Sequence, residues 1–451
     1  MSFKFVRILW GDLTAGEFKK FAILSAVLAI IIGNYNMTRA LKDALLSSLV
    51  GFEWQPWAKI ISVTVAVFVV MGYAKLVDLY ARHKLFYIIC SFYSILFLIL
   101  SFFAAHPNLL SIPPKSIFYP LFSWIPGKAL GWICYVSIES SSILVALFWA
   151  FLASTTKVES AKRGYGMIFF FTQIGHILGA YIVVRYAQTV GTPLLLTLGG
   201  FLILLVPPII RYYIKIIPEE EIYPHPSVAK KEKTGFAQGL KLLVSKPYVM
   251  GIFVVATSYE IVGIILEFQM KMIASKHLLR DNFAVFVAKY GIGVGIISLT
   301  YALLGTSFFM RKFGLRFCLI SYPTLIGFLV GSVFMFRSFG ITDYSYMWIL
   351  FGAMIAIKGL NYALNNPTKE VMYIPTSRDI KFKAKSWIDV FGNRSTKGIG
   401  SGITTFFRTS LPDLLMYGTL ISLGVVGLWI MIASLLGRSF DKLQKENRII
   451  E

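Results

Sequence analysis

Charge is scarce in this sequence, and acid is scarcer than base. Asp, Glu, Lys and Arg make up 15% of the 451 residues, where a soluble globular chain carries roughly 25%. So little charge cannot cover two or three domains with water-facing surface, which excludes the ordinary soluble plan for this length. Cysteine is scarce too: Cys90, Cys134 and Cys318 each lie in an apolar run, an odd number without metal-like spacing. That excludes a disulfide framework and a zinc site, and the three read as packing residues. No G-x-x-x-x-G-K-[ST] occurs, and Gly392-Asn393-Arg394-Ser395-Thr396-Lys397 lacks its spacing, so an ATP-hydrolysing loop is excluded as well. No nucleophile with a base and no cluster of metal ligands stands at a helix end, which leaves a membrane enzyme or non-transporting receptor as the remote alternative.

Apolar residues are abundant: 57% of the chain is hydrophobic and the mean hydropathy is +0.70. About 20 mostly apolar residues cross roughly 30 Å of hydrocarbon, and about twelve stretches qualify. They lie near 21–44, 57–79, 85–104, 129–153, 163–187, 192–213, 248–271, 283–308, 315–337, 345–364, 388–409 and 413–436. The basic start (Lys4, Arg7, Lys19, Lys20) has a superficial likeness to a secretion signal, but its apolar stretch runs on into Arg39 and Lys42 without a small-residue cleavage pattern. It reads as a retained first helix.

The net charge of +22 is not a nucleic-acid footprint, because the basic residues fall mostly in short segments between apolar runs. With the N-terminus inside, the cytoplasmic segments hold roughly thirty Lys and Arg against fewer than about ten on the other side. Both termini are therefore expected in the cytoplasm, with the chain in a bacterial inner membrane.

The stretch 214–247, with Pro218-Glu219-Glu220-Glu221 and Lys230-Lys231-Glu232-Lys233, is too charged to enter the bilayer and sits near the chain midpoint. It reads as a cytoplasmic linker between a first six-helix half (1–213) and a second (248–437), followed by a cytoplasmic tail (438–451). An internal echo supports the division: Ala161-Lys162 leads to Gly175 and Gly179, and Ala384-Lys385 leads to Gly398 and Gly402 with the same spacing. The fold class expected is all-α integral membrane, of the major-facilitator kind built from parallel repeats.

An ionisable group at the bilayer centre costs at least about 2.5–3.5 kcal/mol, so each one asks for a partner or a task. Arg39, Lys42 and Asp43 close the first helix; Glu139 lies in the fourth beside Ser140-Ser141-Ser142; Glu260, Glu267 and Lys271 lie in the seventh. Lys289, Lys358, Asp389, Arg394 and Lys397 follow in the eighth, tenth and eleventh. Arg39 and Lys42 share a helical face, as do Arg394 and Lys397, and Asp43 is placed to pair with Arg39. Two basic faces, one per half, suit a di- or triphosphate, with Arg offering two-pronged contacts and Lys a point charge. Glu267 with Lys271 at i,i+4 is also readable as a local salt bridge. Asp78 with Arg82 and the cluster Arg311, Lys312, Arg316 read as latches at cytoplasmic helix ends. Lys289 and Lys358 are read as snorkelling or paired, and His176 as packed or hydrogen-bonded rather than a proton relay.

Several of these segments resemble a known family, the nucleotide transporters typified by the ATP/ADP translocases of intracellular bacteria and plastids. Asn34-Tyr35 through Arg39, Lys42 and Asp43 is similar to its N-Y-x-x-x-R-x-x-K-D segment. Asn366-Pro367-Thr368-Lys369-Glu370, Tyr373-Ile374-Pro375, Lys381-x-Lys383-x-Lys385, Ile388-Asp389, then Arg394 and Lys397-Gly398 form a composite match over about 35 residues. Leu147-Phe148-Trp149-Ala150-Phe151 looks like its L-F-W-x-F, and Glu267 with Lys271 like its E-x-x-x-K.

The resemblance implies a nucleotide as substrate, ATP, ADP or a relative, carried across the lipid bilayer without a cofactor; the oligomeric state is left open, a monomer included. Arg39, Lys42, Lys271, Arg394 and Lys397 are expected to hold phosphates, Glu139 and Glu267 to pair with those lysines when no substrate is present, and Asp389 to belong to the same site. Lys369 and Lys385 are expected in the site or in the cytoplasmic gate. Antiport is the first expectation; the alternative is proton-coupled uptake of a nucleotide or nicotinamide dinucleotide, with Glu139 or Glu260 titrating.

Overall fold

The computed structural model describes residues 14–109, 125–156, 158–217, 236–304, 306–377, 380, 384–388, 392–446 and 448–450. Regular structure among them is helical, apart from one isolated parallel bridge between Thr376 and Ile450. In chain order the long helices begin with α1 (Ala15–Leu49), α2 (Gln55–Leu79), α3 (Arg82–Ala105) and α4, which runs Ala129–Ser140 and resumes as Ile143–Thr155. The run Val158–Leu204 breaks at Gly191 into α5 and α6, and Val206–Ile216 continues α6. Then come α7 (Pro247–His277), α8 (Arg280–Leu304) and α9, the part of Thr306–Ser338 beyond a break at Gly314. The last are α10 (Asp343–Leu360), α11 (Asn393–Phe406) and α12 (Leu411–Lys445). These fall in order on the expected spans.

Burial shows why such helices need lipid around them. In α3, Leu85, Phe86, Ile89, Cys90, Tyr93 and Phe97 are buried, while Ile88, Phe92, Ile95, Ile99 and Phe102 are exposed. The exposed set recurs every three or four residues, so both faces of one helix are apolar, and only the inner one meets protein. Among the described residues, eight segments are long and apolar enough to cross a bilayer.

Local chemistry sets where the helices start and stop. Thr14 caps α1 by accepting from the Glu17 amide at 3.2 Å, and the Glu17 carboxylate accepts from the Thr14 amide at 3.1 Å. Gly191 and Gly314 take the same backbone conformation, φ 78° with ψ 164° and φ 80° with ψ 163°, a region open in practice to glycine alone. Each turns the chain between consecutive helices. In α4 the Ser140 and Ser141 hydroxyls donate back to the Ser137 and Ile138 carbonyls, both at 2.7 Å. Such back-bonding bends helices, and α4 breaks there, immediately after Glu139. Past Leu360, α10 widens into a π turn at Asn361–Asn365 before Asn366–Met372, where Pro367 has no N–H to give.

Two compact units form. The first comprises 1–228 and 278–295, so the first part of α8 belongs with α1–α6; the second comprises 229–277 and 296–451. In the first, α1 packs along α5 and α4, and α3 along α6. A methyl group on Gly179 would overlap the Gly33 carbonyl, and one on Gly175 would stand 2.7 Å from the Ala29 Cα, so α1 and α5 approach with backbone against backbone. In the second, α7 packs against α10, α11 and α12, and α9 against α12.

The paired glycines of the sequence echo differ in their surroundings. Gly398 and Gly402, the counterparts of Gly175 and Gly179, have open space where a side chain would go among the described residues, whereas Gly400 faces Ile261 and Ile264 of α7. Two glycines aligned by letter therefore do different work. The linker expectation also changes: Phe236–Ser245, within the stretch read as linker, is helical, while 218–235 lie outside the described residues.

Candidate functional site

The intramembrane charges expected from sequence gather into networks, described unit by unit. In the first unit, Lys42 of α1 is 3% exposed and ion-pairs with Glu139, which the serine break leaves at the end of the first part of α4. The Asp43 carboxylate is 3.9 Å from the same ammonium. Below Lys42 lies the ring of Tyr135, its centroid 3.8 Å from Nζ, and Gln55 donates to the Tyr135 hydroxyl at 3.0 Å. Arg39 and Lys59 add positive potential at Glu139. The Glu139 side chain keeps 32% of its surface accessible, so the cation is enclosed and its carboxylate partner is not.

In the second unit the stoichiometry reverses. Glu267 of α7 accepts from Lys271 at 2.6 Å on one oxygen and from Lys358 of α10 at 3.0 Å on the other. One carboxylate thus bridges two buried lysines, one on each oxygen. Glu260 recurs on the same face of α7, seven residues before Glu267, and lies 3.6 Å from Lys397 of α11. Lys369 donates to the Ala256 carbonyl, one turn further back, at 3.3 Å. Lys385 is drawn outward: it ion-pairs with Glu370 and lies 5.4 Å over the Tyr373 ring. Arg394 is half-buried on α11, three residues before Lys397. Asp389 lies outside the described residues.

Of the other charges, Lys289 is exposed, and the side chains of Asp78, Arg82, Arg311 and Lys312 are outside the described set. His176 is hydrogen-bonded, its Nε2 3.0 Å from the Gly291 carbonyl. No group of three or more His, Cys, Asp or Glu that could hold a metal ion occurs among the described residues.

Sequence reasoning missed one participant, Tyr135, and for Lys358 it expected pairing without naming the partner, which lies 91 positions away where no spacing rule connects them. Tyr135 sits one turn before Glu139 on the same helix face, a signal that the spacing did offer.

The fold has solved counterparts. A bacterial homologue of the iron transporter ferroportin, crystallised in an inward-facing state, superposes with a TM-score of 0.66 at 14% identity, covering 93% of this chain and 99% of that one. The xylose transporter XylE from E. coli gives 0.55 at 14% identity, over 94% and 96%. Chain and counterparts share the fold of the major facilitator superfamily.

The family model described as TLC ATP/ADP transporter matches residues 2–440, and the chain belongs to that family. ADP,ATP carrier protein 1 of Rickettsia prowazekii (strain Madrid E) is 25% identical over 98% of this chain and 97% of its own length. ADP,ATP carrier protein 4 of Rickettsia conorii (strain ATCC VR-613 / Malish 7) is 25% identical over 88% and 86%. The expected class, a nucleotide transporter of the ATP/ADP type rather than an enzyme, holds.

Proposed function

We propose that the chain exchanges one nucleotide for another by alternating access, with Arg39, Lys42, Lys271, Arg394 and Lys397 receiving the phosphates. The observation that carries this reading is that each unit holds buried lysine against a carboxylate: Lys42 on Glu139, and Lys271 with Lys358 on Glu267. A phosphate group offers several charge-assisted acceptors at once, so it competes for these ammonium groups where a neutral solute does not. When phosphate leaves, the carboxylates return, and no lysine is stranded in low dielectric. A carrier that always has its lysines satisfied, by substrate or by glutamate, favours exchange over empty return.

Lys369 and Lys385, with Asp389, belong in this reading to the route by which the nucleotide enters from the cytoplasm. Both termini face the cytoplasm of a bacterial cell, as the excess of basic residues on one side requires.

The test is uptake of labelled ATP, ADP, GTP or nicotinamide dinucleotide into liposomes containing the purified protein and preloaded with each in turn. Exchange predicts uptake only into loaded vesicles; collapse with an uncoupler instead would turn the reading to proton symport at Glu139 or Glu260. Lys42→Ala and Lys397→Ala should each abolish uptake while leaving membrane insertion intact. Normal transport by both variants removes the phosphate assignment.

A further inference from the structure

We infer that Tyr135 is a positioning residue for transport, an aromatic seat that holds the Lys42 ammonium in place while Glu139 gives way to an incoming anion. The inference rests on the assignment of Lys42 to the phosphates.

The geometry is that of a built seat rather than a chance contact. Tyr135 is fully buried, and the Lys42 nitrogen stands 3.8 Å from its ring centroid. The ring is fixed from three sides. Gln55, 5% exposed at the start of α2, donates to its hydroxyl at 3.0 Å. Leu46, one turn beyond Lys42 on α1, packs with it together with Ala58 of α2, and Val50 and Trp132 close the surround. On α4, Tyr135 and Glu139 are four residues apart, so ring and carboxylate present one continuous surface to Lys42.

The two partners differ in a way that matters for turnover. A carboxylate binds the ammonium strongly but repels the phosphate that must replace it. The face of an aromatic ring attracts a cation through its quadrupole and carries no net charge to oppose an anion. During the swap between Glu139 and phosphate, the ring is an uncharged partner of Lys42 that need not move. An ammonium without it would follow Glu139 toward the accessible side of the network, and the phosphate would meet a displaced cation.

The experiment is nucleotide exchange in proteoliposomes with Tyr135→Phe, Tyr135→Leu and phenylalanines carrying one, two or three ring fluorines at position 135. Tyr135→Phe keeps the ring face and is expected within about twofold of wild type, whereas Tyr135→Leu is expected to raise KM about tenfold with a smaller change in kcat. Fluorines draw charge from the ring face at almost constant shape, so KM should climb with each one added while thermal stability in detergent stays level. A merely structural role predicts a KM that ignores fluorine number.

A flat fluorine series overturns the inference, and so does a Tyr135→Phe variant as impaired as Tyr135→Leu. Should Tyr135→Leu fail to fold, the fluorinated series still decides. Failure of the underlying reading looks different: Lys42→Ala would then transport normally. Loss of transport in Lys42→Ala with a flat fluorine series removes the seat alone.

Discussion

The two units solve the same electrostatic problem with opposite arithmetic. In the first, Lys42 has several partners: Glu139, Asp43 at 3.9 Å and the Tyr135 ring. In the second, a single carboxylate, Glu267, serves both Lys271 and Lys358. A cation with spare partners tolerates the loss of one. A carboxylate shared by two cations is costlier to remove, because both ion pairs go with it. The first arrangement is suited to exchanging partners, the second to holding two cations at one point.

The largest expected effect strikes that difference directly. Glu267→Gln breaks the ion pairs of two buried lysines at once and should destabilise the protein by about 3–5 kcal/mol, the scale for breaking a buried ion pair. Glu139→Gln, at a partly accessible position with the ring still beneath Lys42, should cost about 1–2 kcal/mol, within the range for losing a hydrogen bond to a charged group. Thermal unfolding of the purified variants checks the order, and Lys358→Met added to Glu267→Gln should recover part of the loss. Equal melting temperatures for the two single variants would break the comparison.

A smaller difference is expected where helices touch. Gly179→Ala forces α5 away from the Gly33 carbonyl of α1, and overpacking of this kind costs about 1–3 kcal/mol. Gly400→Ala puts its methyl 3.3 Å from Ile264, a side chain with some room to give. The better helix propensity of alanine offsets the strain, and the result should lie within about 1 kcal/mol of wild type. Resistance of each variant to heat-induced aggregation measures both.

Modest losses are also expected at two buried glutamines. Gln269 donates to the Leu414 carbonyl at 2.7 Å and to Thr419 at 3.3 Å, so Gln269→Leu should lose about 1–2 kcal/mol. Gln55→Leu gives up one hydrogen bond, to Tyr135, and should lose about 0.5–1.5 kcal/mol. Denaturation in mixed detergent with urea resolves the pair, and a greater loss at Gln55 would reverse the ranking of the units.

How much was legible in the sequence follows from how far each rule reaches. Helix positions were legible because lipid demands long apolar runs, and α1 to α12 fall where those runs lie. The pairing of Glu267 with Lys271 was legible because both lie on one helix. Lys42 with Glu139 was expected from the resemblance, and the contact is present. Lys358 on Glu267 was not legible, since contacts between helices depend on how each is rotated, and hydropathy says little about rotation in a helix apolar all round. The bend in α4 was written in Ser140-Ser141-Ser142 but passed unread, because hydropathy registers small hydroxyls as nearly neutral. The different surroundings of the echoed glycines were not legible for a related reason: spacing along one helix cannot say which face meets a neighbour.

The close approach of α1 and α5 has a practical use. Helices joined backbone to backbone at Gly33, Gly175 and Gly179 have no side-chain layer to slide on, so any displacement of Lys42 along with α1 must carry α5 with it. Leu178 and Tyr181 of α5 are exposed at 56% and 52%. A spin label there would report the travel of Lys42 from a position outside its charge network, turning a steric restriction into a gauge of the transport stroke.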